Sequence, residues 1–301
     1  VTPALSVVIP TFNRADILPQ VLEALGRQEI GGEAFEVIVV DDGSTDATAE
    51  FLRSHRPDPL FRAFSQENTG PAGARNRGVL AASSPLVVFL GDDTVPEPGF
   101  LSAHLLAHQE GGDRKIAVLG YTTWPRERRV SPFLHHINEY GLQFGYELID
   151  DPERVPFNFF YTSNISVPKQ VLLEAGLFDT TFPHAAWEDI ELSYRLARLG
   201  YVIVYRPAAI VRHHHEITFA SFRRRQEKAG QAAAIFYRKH PELADFLGVR
   251  TALQGKGRAG PFVTLWARLC ERWEIPGGRQ AIDRVLRSDY LWGLRRSLET
   301  Q

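Results

Sequence analysis

Three acidic elements carry the most chemical information in this sequence. Asp92 and Asp93 stand in FLGDDT (89–94), directly after an apolar run. Glu188 and Asp189 open the helical pattern WEDIELSYRL (187–196), and Asp41 and Asp42 end another apolar run in VVDDGSTD (39–46). A carboxylate at the end of a buried strand does nothing for packing and is costly to desolvate. Grouped, such carboxylates suit three tasks: oxygen ligation of a divalent cation, recognition of a nucleotide, and acceptance of a proton. Each task requires elements that bring the acids to one end of the fold.

Those elements are visible as apolar periodicities. Residues 5–9 (LSVVI) form a continuous apolar run, the pattern of a strand buried on both faces. Ile17, Val21, Leu22 and Leu25 then share one helical face. Residues 35–40 (FEVIVV) are the next strand, with Ser44 the expected N-cap of a second helix reaching Arg53. Residues 61–65 and 86–90 (LVVFL) predict two more strands around a helix at about 72–82. This alternation predicts an α/β fold: a mostly parallel, Rossmann-like sheet flanked by helices. Ligands bind such sheets beyond the carboxyl ends of the strands. PTFNR (10–14), DDGSTD and GDDT all fall there.

The pattern from 95 to 155 is less regular, with one strand expected at 116–120. Residues 125–160, rich in Pro, Arg and aromatics without a clear period, predict loops lining a pocket. Leu192, Leu196 and Leu199 give the helix after Trp187 its apolar stripe, and Gly200 is placed to end it. A strand follows at 201–205, and from Thr218 the chain reads helical.

Composition bounds the function. The 301 residues are 44% hydrophobic, which supports a real core and argues against disorder. The single cysteine, Cys270, excludes an internal disulfide framework and reads as a small buried apolar residue. No apolar stretch approaches a membrane span and no signal pattern opens the chain. The expected location is therefore cytoplasmic, or peripheral to the inner face of the membrane. Net charge is −2, unevenly spread: residues 216–301 hold 16 Lys+Arg against 9 Asp+Glu, a net of +7, leaving −9 for residues 1–215.

Five segments, VVIPTFNR, VIVVDDGSTD, NTGPAGARNRG, FLGDDTVPEPGFL and WEDIELSYRLARLGY, occur in this order over roughly residues 5–215. They resemble the successive signatures of inverting glycosyltransferases of family 2. The resemblance implies a GT-A fold, a nucleotide-sugar donor with UDP favoured, and Mn²⁺ or Mg²⁺. It also implies residue roles. Pro10, Thr11 and Phe12 would contact the base and Arg14 would lie near the donor; the alternative is a turn capped by Asn13. Asp42 would accept the N3–H of uracil, although guanine or thymine could use the same carboxylate. The plainer reading of that cluster is helix capping, which suits Asp46. Gly73 would let a helix start approach the ligand, and Arg75 would add positive charge beside the nucleotide; a surface ion pair is the alternative for Arg75.

Asp93 would ligate the metal and Asp92 would contact the ribose or the metal's outer surroundings. Here the chain departs from the family, because Gly91 fills the first position of the usual Asp-x-Asp. That leaves the ion partly to other groups. His213, in VRHHHE (211–216), resembles the late histidine of several GT-A enzymes and is the expected second ligand; His214 and His215 are expected in packing or at the surface. Asp189 matches the family's catalytic base. Glu188 would bind acceptor hydroxyls and Trp187 would stack on a sugar. Ser163 and Asn164 would position hydroxyls, or else form a buried hydrogen-bond network.

The expected organisation is a nucleotide-sugar-binding half over 1–95, an acceptor-binding and catalytic half over 96–215, and a basic helical extension over 216–301. In the extension, Arg223, Arg224, Arg225, Lys228, Arg268, Arg272, Arg295 and Arg296 interleave with Phe222, Trp266, Trp273 and Trp292. This suits an anionic membrane face or a lipid-linked acceptor; packing on the catalytic domain or a homodimer contact is the alternative. A glycan is the other acceptor class. Nucleic acid is not an expected partner, since the chain is slightly acidic and shows no reader motif. Two rival functions remain. A sugar nucleotidyltransferase would need a Gly-rich loop before the first helix, and PTFNRAD contains no glycine. A non-catalytic nucleotide-sugar-binding protein is favoured only by Gly91.

Overall fold

The structure is a computed structural model that describes residues 2–55, 60–255, 257–271, 273 and 275–300; Arg272 lies outside them. The chain divides into two compact units. One comprises Val1–Glu127, Ile149–Thr180 and Glu188–His215, the other Arg128–Leu148, Thr181–Trp187 and Glu216–Gln301.

The first unit opens β1 (Leu5–Thr11), α1 (Leu18–Gly26), β2 (Phe35–Asp41), α2 (Thr48–Ser54), β3 (Phe61–Ser65), α3 (Gly70–Ala81), β4 (Leu86–Leu90), β5 (Thr94–Pro96), α4 (Phe100–Gly111) and β6 (Ile116–Thr123). After α5 (Pro132–Glu139), which belongs to the second unit, come β7 (Asn164–Pro168), α6 (Lys169–Glu174), α7 (Glu188–Arg198) and β8 (Val202–His213). The sheet order is β3-β2-β1-β4-β7-β6-β8-β5. The first four strands are parallel, as their apolar runs predict. Beyond β4 the sheet changes character: β7 is antiparallel to both β4 and β6, and β5 is antiparallel to β8.

Leu5, Val7, Ile9, Val39, Val88 and Leu90 pack with Leu18, Val21, Leu22 and Leu25 of α1 in one core. Burying each large apolar side chain stabilises by roughly 1.5–3 kcal/mol. On the opposite face α3 approaches β1 so closely that a Cβ at Gly78 would sit 2.3 Å from Val8 Cγ1. Covering both faces in this way is why β1, β2 and β4 read as unbroken apolar runs.

Several local expectations change. Ser44 does not cap α2, whose N-cap is Ala47; the Ser44 hydroxyl accepts from Asn13 N at 2.9 Å instead. β8 runs far beyond 205, to His213. Residues 125–160 are not all loop, because α5 lies within them, started by a Ser131 hydroxyl that accepts from Leu134 N at 3.2 Å. Gly200 does follow α7, with φ +84°, a conformation glycine adopts at little cost.

The second unit is helical: α5, α8 (Phe219–Lys239), α9 (Val249–Gln254), α10 (Pro261–Leu269) and α11 (Gly278–Glu299). α8 and α11 meet backbone to backbone. A Cβ at Gly230 would lie 1.9 Å from Tyr290 O, and one at Gly293 would lie 2.1 Å from Glu227 O. Arg223 Nε donates to the buried Asp289 at 2.6 Å beside this crossing.

Candidate active site

The carboxyl ends of β1 and β2 are joined by a backbone bond, Asp42 N to Thr11 O at 2.9 Å. Asn13 takes φ +55° and its Oδ1 accepts from Thr45 N at 2.7 Å. Asn13 thus ties the PTFNR loop to the loop after β2 rather than capping its own turn. Asp46 fits its plainer reading, since its Oδ1 accepts from Thr48 N at the start of α2. Asp42 is buried, and its Oδ1 accepts from Gln66 Nε2 (2.8 Å), Thr69 N (2.9 Å) and Thr69 Oγ1 (3.2 Å). Three donors on one oxygen fix the carboxyl plane and leave Oδ2 for other work. Gly73 is the enabling residue: a Cβ there would meet Thr69 Oγ1 at 2.2 Å. Pro10 and Thr11 end β1 beside this group, with Thr11 buried and Phe12 exposed.

Asp92 and Asp93 follow β4 in a tight turn, in which Thr94 N and Thr94 Oγ1 both donate to Gly91 O. A Cβ at Gly91 would stand 3.1 Å from Thr94 Oγ1 and 3.4 Å from Asp93 Oδ1, a physical reason for glycine in this position. Phe12 N and Arg14 Nε donate to the two oxygens of Asp92 at 3.4 and 3.3 Å, and Arg14 Nη2 reaches Asp93 Oδ2 at 3.5 Å. Burial opposes the charge on Arg14, but Asp92 and Asp93 outweigh it and its pKa rises.

The antiparallel pairing of β5 with β8 sets Thr94 opposite His213, and His214 N donates to Asp93 O at 2.8 Å. Successive side chains of an extended chain alternate in direction. His213 Nε2 accordingly lies 3.5 Å from Asp93 Oδ1 and His215 Nδ1 3.4 Å from Asp93 Oδ2. The expectation that His215 serves only packing or the surface is therefore corrected. Potential ligand atoms of Asp93, His213 and His215 lie within 4.8 Å of one another. The rings of His213 and His215 stack at 5.6 Å, and Trp124 stacks on His213 at 5.8 Å. One carboxylate oxygen and two imidazole nitrogens are a chemically fitting donor set for a divalent transition metal.

Glu188 and Asp189 start α7, where the helix dipole favours negative charge. Glu188 is buried and its Oε1 accepts from Arg75 Nη1 at 2.7 Å. Arg75 is buried too, with its guanidinium 5.4 Å from the Phe178 ring centroid. It is not a surface ion pair, because its guanidinium is buried and engaged by Glu188. Glu188 Oε2 and Arg75 Nε remain buried without partners. Asp189 keeps some solvent exposure. Protein packed around it, then the charge of Glu188, raises its pKa to about 7, against the lowering influence of Arg75.

Two expected acceptor contacts are corrected. Asn164 is fully buried; its Oδ1 bonds His104 Nε2 at 2.9 Å and its Nδ2 donates to Ala209 O and Tyr121 O. It belongs to an internal network with His104, His108 and Ser166. Burial lowers the pKa of His104 to about 3 and that of His108 to about 4, so both are neutral. Trp187 donates Nε1–H to Ala229 O and packs with Phe236, Phe246 and Tyr290, so its ring is already committed within the helical unit. Its φ of +72° directly precedes Glu188. Such a conformation costs a non-glycine residue on the order of 1–3 kcal/mol and often marks a functional site. Sequence reasoning missed Gln66, Thr69 and His215; only the last carried a signal, two histidines spaced i, i+2.

The profile described as glycosyl transferase family 2 matches residues 6–170. Validoxylamine A glucosyltransferase of Streptomyces hygroscopicus subsp. jinggangensis is 32% identical, over 94% of this chain and 71% of its own length. The hyaluronan synthase of Pasteurella multocida is 28% identical over 65% of this chain, but over only 23% of the synthase. Among solved structures, the mannosyltransferase PcManGT of Pyrobaculum calidifontis, in complex with GDP-Man and Mn²⁺, superposes with a TM-score of 0.64 at 19% identity, covering 100% of this chain and 88% of that one. TarS of S. aureus in complex with UDP gives a TM-score of 0.55 at 16% identity, covering 98% and 90%. With the mixed sheet, the acids at its strand ends and these matches in hand, the chain belongs to glycosyl transferase family 2 and has the GT-A fold.

Proposed function

We propose that this glycosyltransferase moves a sugar, with inversion, from a nucleoside-diphosphate sugar to a hydroxyl of a glycan or lipid-linked acceptor, UDP being the favoured nucleotide. The observation that carries the reading is Asp189: a carboxylate at the start of α7 whose pKa is raised to about 7, beside a buried Glu188–Arg75 pair. A general base works best when its pKa lies near the working pH.

Asp189 Oδ1 accepts from Ile190 N at 2.9 Å, which orients the carboxylate and leaves Oδ2 as the proton acceptor. In the reaction the acceptor oxygen forms a bond to the anomeric carbon from the face opposite the leaving group. The bond from that carbon to the diphosphate oxygen breaks and the electron pair departs with the nucleoside diphosphate. The hydroxyl proton passes to Asp189. Glu188 Oε2, buried and without a hydrogen-bond partner, would accept a hydrogen bond from a second hydroxyl of the ligand. On the donor side, Asp42 Oδ2 would take the N3–H of the base, with Pro10, Thr11 and Phe12 along its edge.

Asp93, His213 and His215 would hold a divalent cation, which when bound would neutralise the negative charge of the diphosphate. Two imidazoles favour Mn²⁺ over Mg²⁺, which prefers oxygen ligands. Arg14, which reaches both acids, holds Asp92 and Asp93 in place.

The test is calorimetric titration of UDP, GDP and dTDP, each with Mn²⁺ and with EDTA. The expected result is metal-dependent binding of one nucleotide, UDP. Binding of none of the three would overturn the donor-site assignment. Release of nucleoside diphosphate rather than pyrophosphate during turnover would separate sugar transfer from nucleotidyl transfer.

A further inference from the structure

α10 is turned inside out relative to an ordinary surface helix. Its small residues face inward: Ala267 and the adjoining Cys270 are buried, and a Cβ at Gly278, the first residue of α11, would meet Cys270 Sγ at 2.9 Å. Its large apolar residues face outward. Phe262 is 86% exposed, Leu265 59%, Trp266 43% and Leu269 51%, and Trp273 just beyond is 67% exposed. The spacing i, i+3, i+4, i+7 places the first four on one continuous stripe. Single exposed apolar residues are ordinary, but a contiguous stripe of four, with a second tryptophan just beyond it, marks an interaction surface.

The surroundings indicate what covers it. Residues 216–301 carry 16 basic against 9 acidic residues, a net of +7. Arg268 on α10 and Arg284 and Arg287 on α11 are exposed. Two copies meeting through this surface would bring two such positive segments together, which long-range electrostatics opposes. An anionic partner gains from the same charge. Tryptophan and phenylalanine on a short helix, accompanied by exposed arginines, match the chemistry of a helix lying in a lipid headgroup layer. No helix among the described residues is long and apolar enough to cross a membrane, so the contact would lie in the plane of the surface.

We propose that the outward face of α10, Phe262, Leu265, Trp266, Leu269 and the adjoining Trp273, docks the helical unit onto an anionic lipid bilayer. None of these residues takes part in the transfer chemistry, so the inference stands or falls independently of the proposed activity. The experiment is vesicle flotation of the full chain with phosphatidylcholine alone and with phosphatidylcholine containing phosphatidylglycerol, at low and high salt. The probe is intrinsic tryptophan emission. The wild type should float with the anionic vesicles, shift its emission to the blue, and release as salt rises. The double variant Phe262→Ser, Trp266→Ser, with unchanged far-ultraviolet dichroism, should partition at least about tenfold less. Failure of the wild type to bind either vesicle would overturn the proposal, as would equal binding by the double variant. So would a wild-type dimer in light scattering that the double variant converts to a monomer without any vesicle binding, because the stripe would then belong to a second copy.

Discussion

Asp92–Asp93 and Glu188–Asp189 look alike as dipeptides, yet their surroundings treat their charge differently. The first pair sits among three basic side chains: Arg14 reaches both acids, and His213 and His215 flank Asp93. Burial would push Asp93 up, but the charge and hydrogen bond of His213, then His215 and Arg14, hold it well below the ordinary carboxylate range. Asp92 rises to about 6, through burial and then the charge of Asp93. In the second pair a single cation, Arg75, is bound to Glu188, and it is the unbound member, Asp189, that rises to about 7. Two adjacent carboxylates cannot both carry charge cheaply in a partly buried site. The first pair thus keeps one strongly ionised carboxylate beside two imidazoles, and the second leaves one carboxylate with a raised affinity for a proton.

Replacing Asp189 should break the contrast most severely. Asp189→Asn should lower kcat by a factor on the order of 10²–10⁴ while nucleotide binding persists in calorimetry; near-normal turnover would remove Asp189 as the base. The same variant has a stability signature. The folded-state pKa is raised from 3.8 to about 7, so between those values the folded chain binds a proton that the unfolded chain has released. Stability from this group is present at low pH and is lost as pH rises through about 7. At pH 8 Asp189→Asn should therefore melt at a higher temperature than the wild type, and thermal scans across pH would show the difference shrinking in acid.

The metal half of the contrast is tested next. His215→Ala should weaken Mn²⁺ binding by at least about tenfold in an electron paramagnetic resonance titration, with Asp93→Asn weaker still. Unchanged Mn²⁺ affinity in His215→Ala would confine the ligand set to Asp93 and His213. The smallest effect concerns the tuning of Asp189. Glu188→Gln removes a charge that raises its pKa and should move the acidic limb of the pH–rate profile to lower pH, whereas Arg75→Gln should move it up and Arg75→Lys should restore it. Coincident profiles for Glu188→Gln and the wild type would show that the coupling does not reach the reaction.

The parallel half of the fold and the position of its acids were legible in the residues. LSVVI, FEVIVV and LVVFL are continuous apolar runs, and Asp42, Asp92 and Asp93 follow them at once. The antiparallel half was not. β7 and β5 are short and carry no distinctive period, and only 201–205 of β8 has the look of a strand. His215 was misjudged for that reason: its direction follows from β8 continuing to His213 and pairing with β5. For Asn164 the sequence leaves two readings, and the buried network is the one that forms; its partners His104 and Ala209, like Ala229 and Phe236 around Trp187, are distant in sequence.

Periodicity, turn residues and motif order act over a few neighbouring residues, and they were enough to establish the parallel elements, the strand-end placement of their acids and the family. Which acid keeps its proton, which histidine turns toward Asp93, and that Arg75 meets Glu188 across 113 residues of chain were settled by packing. Those outcomes depend on desolvation and on charges a few ångströms away, and the identities of such neighbours exist only once the sheet has closed.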